Sequence, residues 1–246
     1  MRQTVLILLA LWQIGSADSL ESLFQQGVQA YQRGDYAEAV EYWQNAARQG
    51  QASAALYYNL ANAYFKTDDI GRAVLYYERA RRLSPGDEDI DFNLGVAKLR
   101  TVDKIASPEI DYFYKLFNRF KNMLSLPQWT WLVVGLYILL IVLLMVRLLA
   151  KGSLPAYLAP AVTTVLIVLL IAGFFFFLRV REDVTVKEAV ILAQNAAVLA
   201  GPQYDATEVF VLHPGAQVRI IDHSSEYVRI RLSDGKDGWI LGHELE

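Results

Sequence analysis

Residues 56–85 read LYYNLANAYFKTDDIGRAVLYYERARRLSP, and residues 31–46, YQRGDYAEAVEYWQNA, carry the same pattern one unit earlier. Gly27, Tyr36, Ala39, Trp43 and Ala46 return 34 residues later as Ala61, Ile70, Ala73, Tyr77 and Ala80, with Ala30 matched by Tyr64. A fixed period of this length marks a stack of two-helix units. Small residues at Gly27, Ala39 and Ala46 let paired helices approach closely, and Trp43 and Tyr77 fill the space toward the next pair. Gly34-Asp35 and Asp68-Asp69 supply the turns, and Ser84-Pro85-Gly86 ends the second unit. A third unit opens at Asp87 and breaks off after one helix near Thr101, as a polar cap.

These stretches resemble the tetratricopeptide repeats, which predicts helical repeats over residues 20–101. The resemblance implies a concave groove lined by the first helix of each pair. Carboxamides recur there as Gln25, Asn59 and Asn93, with Asn62 one turn beyond Asn59. Amides both donate to and accept from an extended peptide backbone. Phe24, Tyr31, Tyr58 and Phe65 stand ready as pocket walls, so this set is the candidate protein-binding groove; the alternative is that each is a surface polar or packing aromatic. The carboxylate-clamp form of such a groove fits poorly, because Asp89 and Asp91 occupy the third helix where cations are wanted.

Three apolar blocks interrupt an otherwise polar chain of net charge -3. Residues 1–17 place Arg2 before an uncharged run and end on Gly15, Ser16 and Ala17, the pattern of a secretory signal peptide; a buried first helix is the other reading. No charge falls between Lys121 and Arg147, or between Lys151 and Arg179, which predicts membrane helices over 128–149 and 155–178. The short connection makes them an antiparallel hairpin with both polar parts on one side. A signal peptide puts that side in the periplasm and the Arg147/Lys151 loop in the cytoplasm, whereas Lys115, Arg119, Lys121, Arg179 and Arg181 flank the opposite ends and argue the reverse. Over 108–126, Phe113, Leu116, Phe117 and Phe120 oppose Lys115, Arg119 and Lys121. That amphipathic pattern suits a helix in the lipid headgroup plane, or one packed on the repeats.

After Arg181 the periodicity shortens to alternating runs broken at Gly201-Pro202, His213-Pro214-Gly215, Asp222 to Ser225 and Asp234-Gly235. Five or six strands in 184–246 make a small barrel, and Gly238-Trp239-Ile240 is the element by which it most resembles a bacterial SH3-like domain. Tyr227 and Trp239 either form an aromatic ligand surface or close the core.

The chain as a whole is thus multidomain: all-α tetratricopeptide repeats, a two-helix transmembrane hairpin and a C-terminal all-β SH3-like barrel. It has no cysteine, His213, His223 and His243 lack regular ligand spacing, and no basic block is present. Those features predict no metal, no cofactor and no nucleic acid partner. With no phosphate loop and no nucleophile motif, the expectation is a non-enzymatic protein. The domain order, with LSLPQWTW at 124–131 and LSDGKDGWI at 232–240, resembles the BatE-type membrane proteins of bacterial aerotolerance operons. The resemblance implies an inner-membrane, multi-pass interaction scaffold beside von Willebrand A-type Bat proteins. The rival reading is a sensor whose barrel holds peptidoglycan.

Overall fold

The computed structural model describes residues 20–105, 111–149, 154–185 and 187–245. The signal-peptide segment and Lys151 lie outside the described residues. The chain divides into two compact units: the N-terminal helices together with the C-terminal sheet, and the helical segment between them in sequence.

The first unit begins with five helices: α1 (residues 20–32), α2 (Tyr36–Arg48), α3 (Ala54–Lys66), α4 (Ile70–Leu83) and α5 (Glu88–Arg100). Side chains start three of these helices by accepting free backbone N–H groups: the Ser53 hydroxyl takes Leu56, Asp69 takes Arg72, and Asp87 takes Asp89 and Ile90. The turns obey the repeat. Gly34 sits at φ +86°, and Asp68, one period on, holds the same left-handed conformation at φ +67°. Ala39, Ala46, Ala73 and Ala80 are all fully buried. Gly27 is tighter still: a Cβ there would lie 2.3 Å from Trp43 Nε1, so only glycine lets α1 and α2 close around the indole. That indole N–H donates to the Phe24 carbonyl at 3.0 Å, which removes the penalty of burying it.

The sheet of the first unit has six strands, β1 (Lys187–Val190), β2 (Ala196–Leu199), β3 (Glu208–Leu212), β4 (Gln217–Ser224), β5 (Tyr227–Arg231) and β6 (Asp237–Leu241), in the order β1-β4-β5-β6-β2-β3. Alternation places Val198, Val218, Val228, Ile230 and Ile240 in one buried cluster. The arrangement is that of an SH3-like barrel whose sheet is not closed. Gly238 is required where β6 crosses β2, since a Cβ would stand 2.5 Å from Val198 Cγ1 and 2.9 Å from the Leu199 carbonyl oxygen.

The sheet packs on the repeats. Val190 belongs to the repeats' own buried cluster, with Leu192 against it. The His213-Pro214-Gly215 turn meets α4 and the end of α5: a Cβ on Gly71 would be 2.9 Å from Pro214 Cβ, and one on Gly215 would be 2.6 Å from Thr101 Cγ2. The half-unit that ends with α5 therefore borrows a packing partner from the C-terminal strands. The expected polar cap does carry exposed charges at Glu88, Asp89 and Asp91, but only on the face turned away from its buried Ile90, Leu94 and Ala97.

The second unit consists of α6 (Tyr112–Lys121), α7 (Leu126–Leu149) and α8 (Leu154–Thr185). Both long helices are apolar enough to cross a membrane, and their side chains are largely exposed. At 24 residues α7 measures about 36 Å, more than the roughly 30 Å of a hydrocarbon core. Trp129 stacks on Phe175 at 5.9 Å, with Phe117 of α6 at 5.6 Å from the same ring. The Trp129 indole N–H donates to the Lys121 carbonyl.

Candidate functional site

A concave pocket of about 310 Å³ opens on the repeats, lined by Tyr31, Tyr58, Asn62, Phe65, Lys66, Tyr77, Asn93 and Val96. Helical spacing builds it. Tyr58, Asn62 and Phe65 recur along one stripe of α3, while Asn93 and Val96 face them from α5 and Tyr77 rises from α4. The Tyr77 hydroxyl donates to Asn62 Oδ1, and Asn93 Nδ2 donates to the Tyr58 hydroxyl at 2.6 Å. Asn62 thus keeps its NH2 group for a ligand and Asn93 keeps its carbonyl, a donor and an acceptor on facing helices. Tyr58 and Tyr77 meet edge to face at 6.0 Å, which fixes both rings.

Burial and the neighbouring phenols raise the pKa of Tyr77, and burial, with Tyr36 and Tyr58 nearby, raises that of Tyr31. Both hydroxyls stay protonated at neutral pH, so Tyr77 keeps its bond to Asn62 Oδ1 and Tyr31 remains a donor. Lys66 is the only charged residue on the lining. The site suits a partner segment with an apolar side chain and free backbone groups.

Of the eight residues expected in the groove, Tyr31, Tyr58, Asn62, Phe65 and Asn93 line this pocket, and Phe24, Gln25 and Asn59 do not. Gln25 is exposed and hydrogen-bonded along its own helix to Glu21 at 2.9 Å. Phe24 packs near Trp43, at 6.4 Å between rings. Asn59 shares its repeat position with Asn93, yet the residue one period before Tyr58 is Phe24, which has no hydroxyl to receive an amide. Lys66, Tyr77 and Val96 were absent from the expected set. Tyr77 both packs between the helices and lines the pocket, where its hydroxyl donates to Asn62.

The second candidate surface lies on the sheet. Register pairs Tyr227 with Leu241 and Arg229 with Trp239, and Trp239 also pairs with Leu199 of β2. Val228, Gly238 and Ile240 alternate with them into the core, so Tyr227 and Trp239 share the opposite face, half-buried. Of the two readings left by the sequence, the side-chain alternation puts both rings outside the buried cluster. Asp237 accepts Arg229 at 2.8 Å, which fixes that guanidinium on β5.

Where sheet and repeats join, Glu78 is nearly fully buried, with Lys98 at 3.1 Å, Arg81 on its other oxygen, and the Gln217 amide donating from β4. Burial alone would raise its pKa; the two cations and the amide outweigh it and hold the carboxyl below its usual range. Among the described residues no group of three or more histidines and carboxylates is placed to hold a metal ion.

Residues 24–88 match the tetratricopeptide repeat family, and residues 194–246 match the bacterial SH3 domain. No curated protein sequence matches the chain. Among solved structures, the Arabidopsis OM64 TPR domain is similar at 20% identity over 34% of this chain and 69% of its own, with a TM-score of 0.33. Tetratricopeptide repeats on the N-terminal side and a bacterial SH3 domain on the C-terminal side therefore flank the two long apolar helices in the sequence.

Proposed function

We propose that the protein is a non-enzymatic, membrane-anchored interaction scaffold of the bacterial envelope, of the BatE type, that holds a segment of a partner protein in its repeat pocket. The observation that carries this reading is the pocket itself, where Asn62 and Asn93 keep complementary hydrogen-bonding groups between tyrosine walls. In this reading α7 and α8 form a hairpin in the inner membrane, the repeats and the sheet face the periplasm, and the partners are envelope proteins such as the von Willebrand A-type Bat proteins. No cofactor takes part. Packing of the sheet on the repeats supports a shared side, since two crossings return the chain to where it began.

A second reading, peptidoglycan binding through the SH3 domain, is favoured by the outward Tyr227 and Trp239. One experiment separates the two: affinity purification of the full chain from its native membrane. Asn62→Ala with Asn93→Ala should empty the co-purified set while Trp239→Ala leaves it intact. The peptidoglycan reading requires the reverse, with muropeptide recovery lost in Trp239→Ala.

A further inference from the structure

At the junction of α6 with the C-terminal end of α8, one carboxylate serves two cations. Lys121 Nζ donates to Glu182 Oε1 at 2.9 Å, and Arg179 Nη1 reaches Glu182 Oε2 at 3.3 Å and Asn122 Oδ1 at 3.2 Å. Both cations are mostly buried, at 12% and 19% side-chain exposure. Arg179 Nε is buried and has no hydrogen-bond partner among the described residues. A buried guanidinium N–H without an acceptor is unfavourable, and native structures rarely leave one.

Beside this network lies a cleft of about 220 Å³ whose lining includes Tyr114, Phe117, Lys121, Leu178, Arg181 and Glu182. Arg181 is exposed and also lines the cleft, so the lining carries two cations, Lys121 and Arg181, against the one Glu182 carboxylate, which Arg179 also engages. Its floor is mixed in a telling order along the chain. The apolar stretch of α8 ends at Leu178, and the cations begin at Arg179. Aromatic and aliphatic walls thus adjoin a cationic end, at the point where a membrane helix leaves hydrocarbon for headgroups.

We propose that this cleft binds the phosphodiester headgroup of an anionic phospholipid, with Lys121 and Arg181 as donors and Tyr114, Phe117 and Leu178 against the glycerol and first methylenes. Arg179 lies outside the lining, so a phosphate oxygen in the cleft takes Lys121 from Glu182 and leaves that carboxylate to Arg179. The proposal rests on α7 and α8 being a membrane hairpin.

The test uses the full-length protein in detergent micelles, with native mass spectrometry of bound phosphatidylglycerol, phosphatidylcholine and inorganic phosphate. Phosphatidylglycerol should be retained in preference to phosphatidylcholine, and millimolar phosphate should not displace it. Arg181→Gln, at an exposed side chain that folding does not need, should weaken retention about tenfold, as loss of one charge-assisted contact does. Lys121→Gln should do the same. Lys115→Gln with Arg119→Gln, on the same α6 but outside the cleft, should leave it unchanged. Equal retention of both lipids, equal loss in the Lys115/Arg119 control, unchanged binding in Arg181→Gln, or displacement by free phosphate each overturns the proposal. Reconstitution keeps the two readings apart. A protein that fails to enter phosphatidylcholine vesicles defeats the hairpin itself, whereas one that enters them and shows no anionic preference defeats only the lipid site.

Discussion

Asp103 Oδ2 accepts the backbone N–H of His213 at 2.7 Å, and its Oδ1 stands 3.0 Å from the Nδ1 of the same histidine. One carboxylate thereby anchors the turn that carries Pro214 and Gly215 onto the repeats, from a position 110 residues earlier in the chain.

Removing that carboxylate leaves a half-buried backbone N–H without an acceptor, which costs about 1–3 kcal/mol. Asp103→Ala should speed hydrogen exchange at the His213 amide and its neighbours in the full-length protein. Asp103→Asn, which keeps an acceptor oxygen, should retain part of the protection. Equal protection in Asp103→Ala and wild type would disprove the anchoring role.

Glu78 gives the contact a pH dependence. Its carboxyl is held below the ordinary range in the folded state, so it binds protons less readily there than in the unfolded chain. The stability it contributes is present above the unfolded carboxylate pKa and is lost as pH falls through the lower folded value. Exchange protection of β4 should therefore decline on acidification below the usual glutamate range. Glu78→Gln should lose stability at neutral pH and show a flatter acid response; an unchanged acid profile in that variant would assign the effect to other groups.

Gly71→Val tests the same contact from the helix side. A Cβ at 2.9 Å from Pro214 forces the turn away, and overpacking of this kind costs about 1–3 kcal/mol. The expected readout is faster proteolysis at the 213–215 turn, with the pocket residues Tyr58 and Asn93 keeping their native hydrogen exchange. Loss of protection throughout the repeats would show that Gly71 serves the helix pair rather than the sheet.

Within the repeats, Gly27→Ala should break the closest helix contact, because a Cβ cannot sit 2.3 Å from the Trp43 indole nitrogen. The indole must shift and release the Phe24 carbonyl. A stability loss of roughly 1–3 kcal/mol, read by chemical denaturation with tryptophan fluorescence, is expected. A blue-shifted emission maximum kept at wild-type position, with an unchanged midpoint, would contradict the packing.

The 34-residue period made the repeats legible because it is written in steric terms: alanines and one glycine at contacts, and left-handed turns at Gly34 and Asp68. Gly238-Trp239-Ile240 was legible as a domain signature, but which face the indole takes was not, because it follows from the strand register. The groove was legible only in part. Repeat position alone groups Gln25 with Asn59 and Asn93, but hydrogen bonding depends on the facing residue, and the tyrosine opposite Asn93 is a phenylalanine one unit back. The docking of sheet on repeats was hidden, because its marks are departures from the repeat. Ala37 becomes Gly71, and Gln44, which bonds the Tyr64 hydroxyl, becomes the buried Glu78. Such changes acquire meaning only when the partner strand is known.

The docking also orders events during synthesis. The face formed by Gly71, Val74 and Thr101 is translated before α7 and α8, and its cover, Pro214 and Gly215, emerges after them. Closing a coil of such length is entropically demanding, and contacts this distant in sequence form late. The helical hairpin shortens the search by tethering both strands of chain that leave it. A nascent chain released before Gly215 presents a repeat block with its docking face bare, the kind of intermediate that aggregates or is degraded. Only a chain synthesised past Gly215 hides that surface, so the contact that stabilises the unit also reports that these strands have been made.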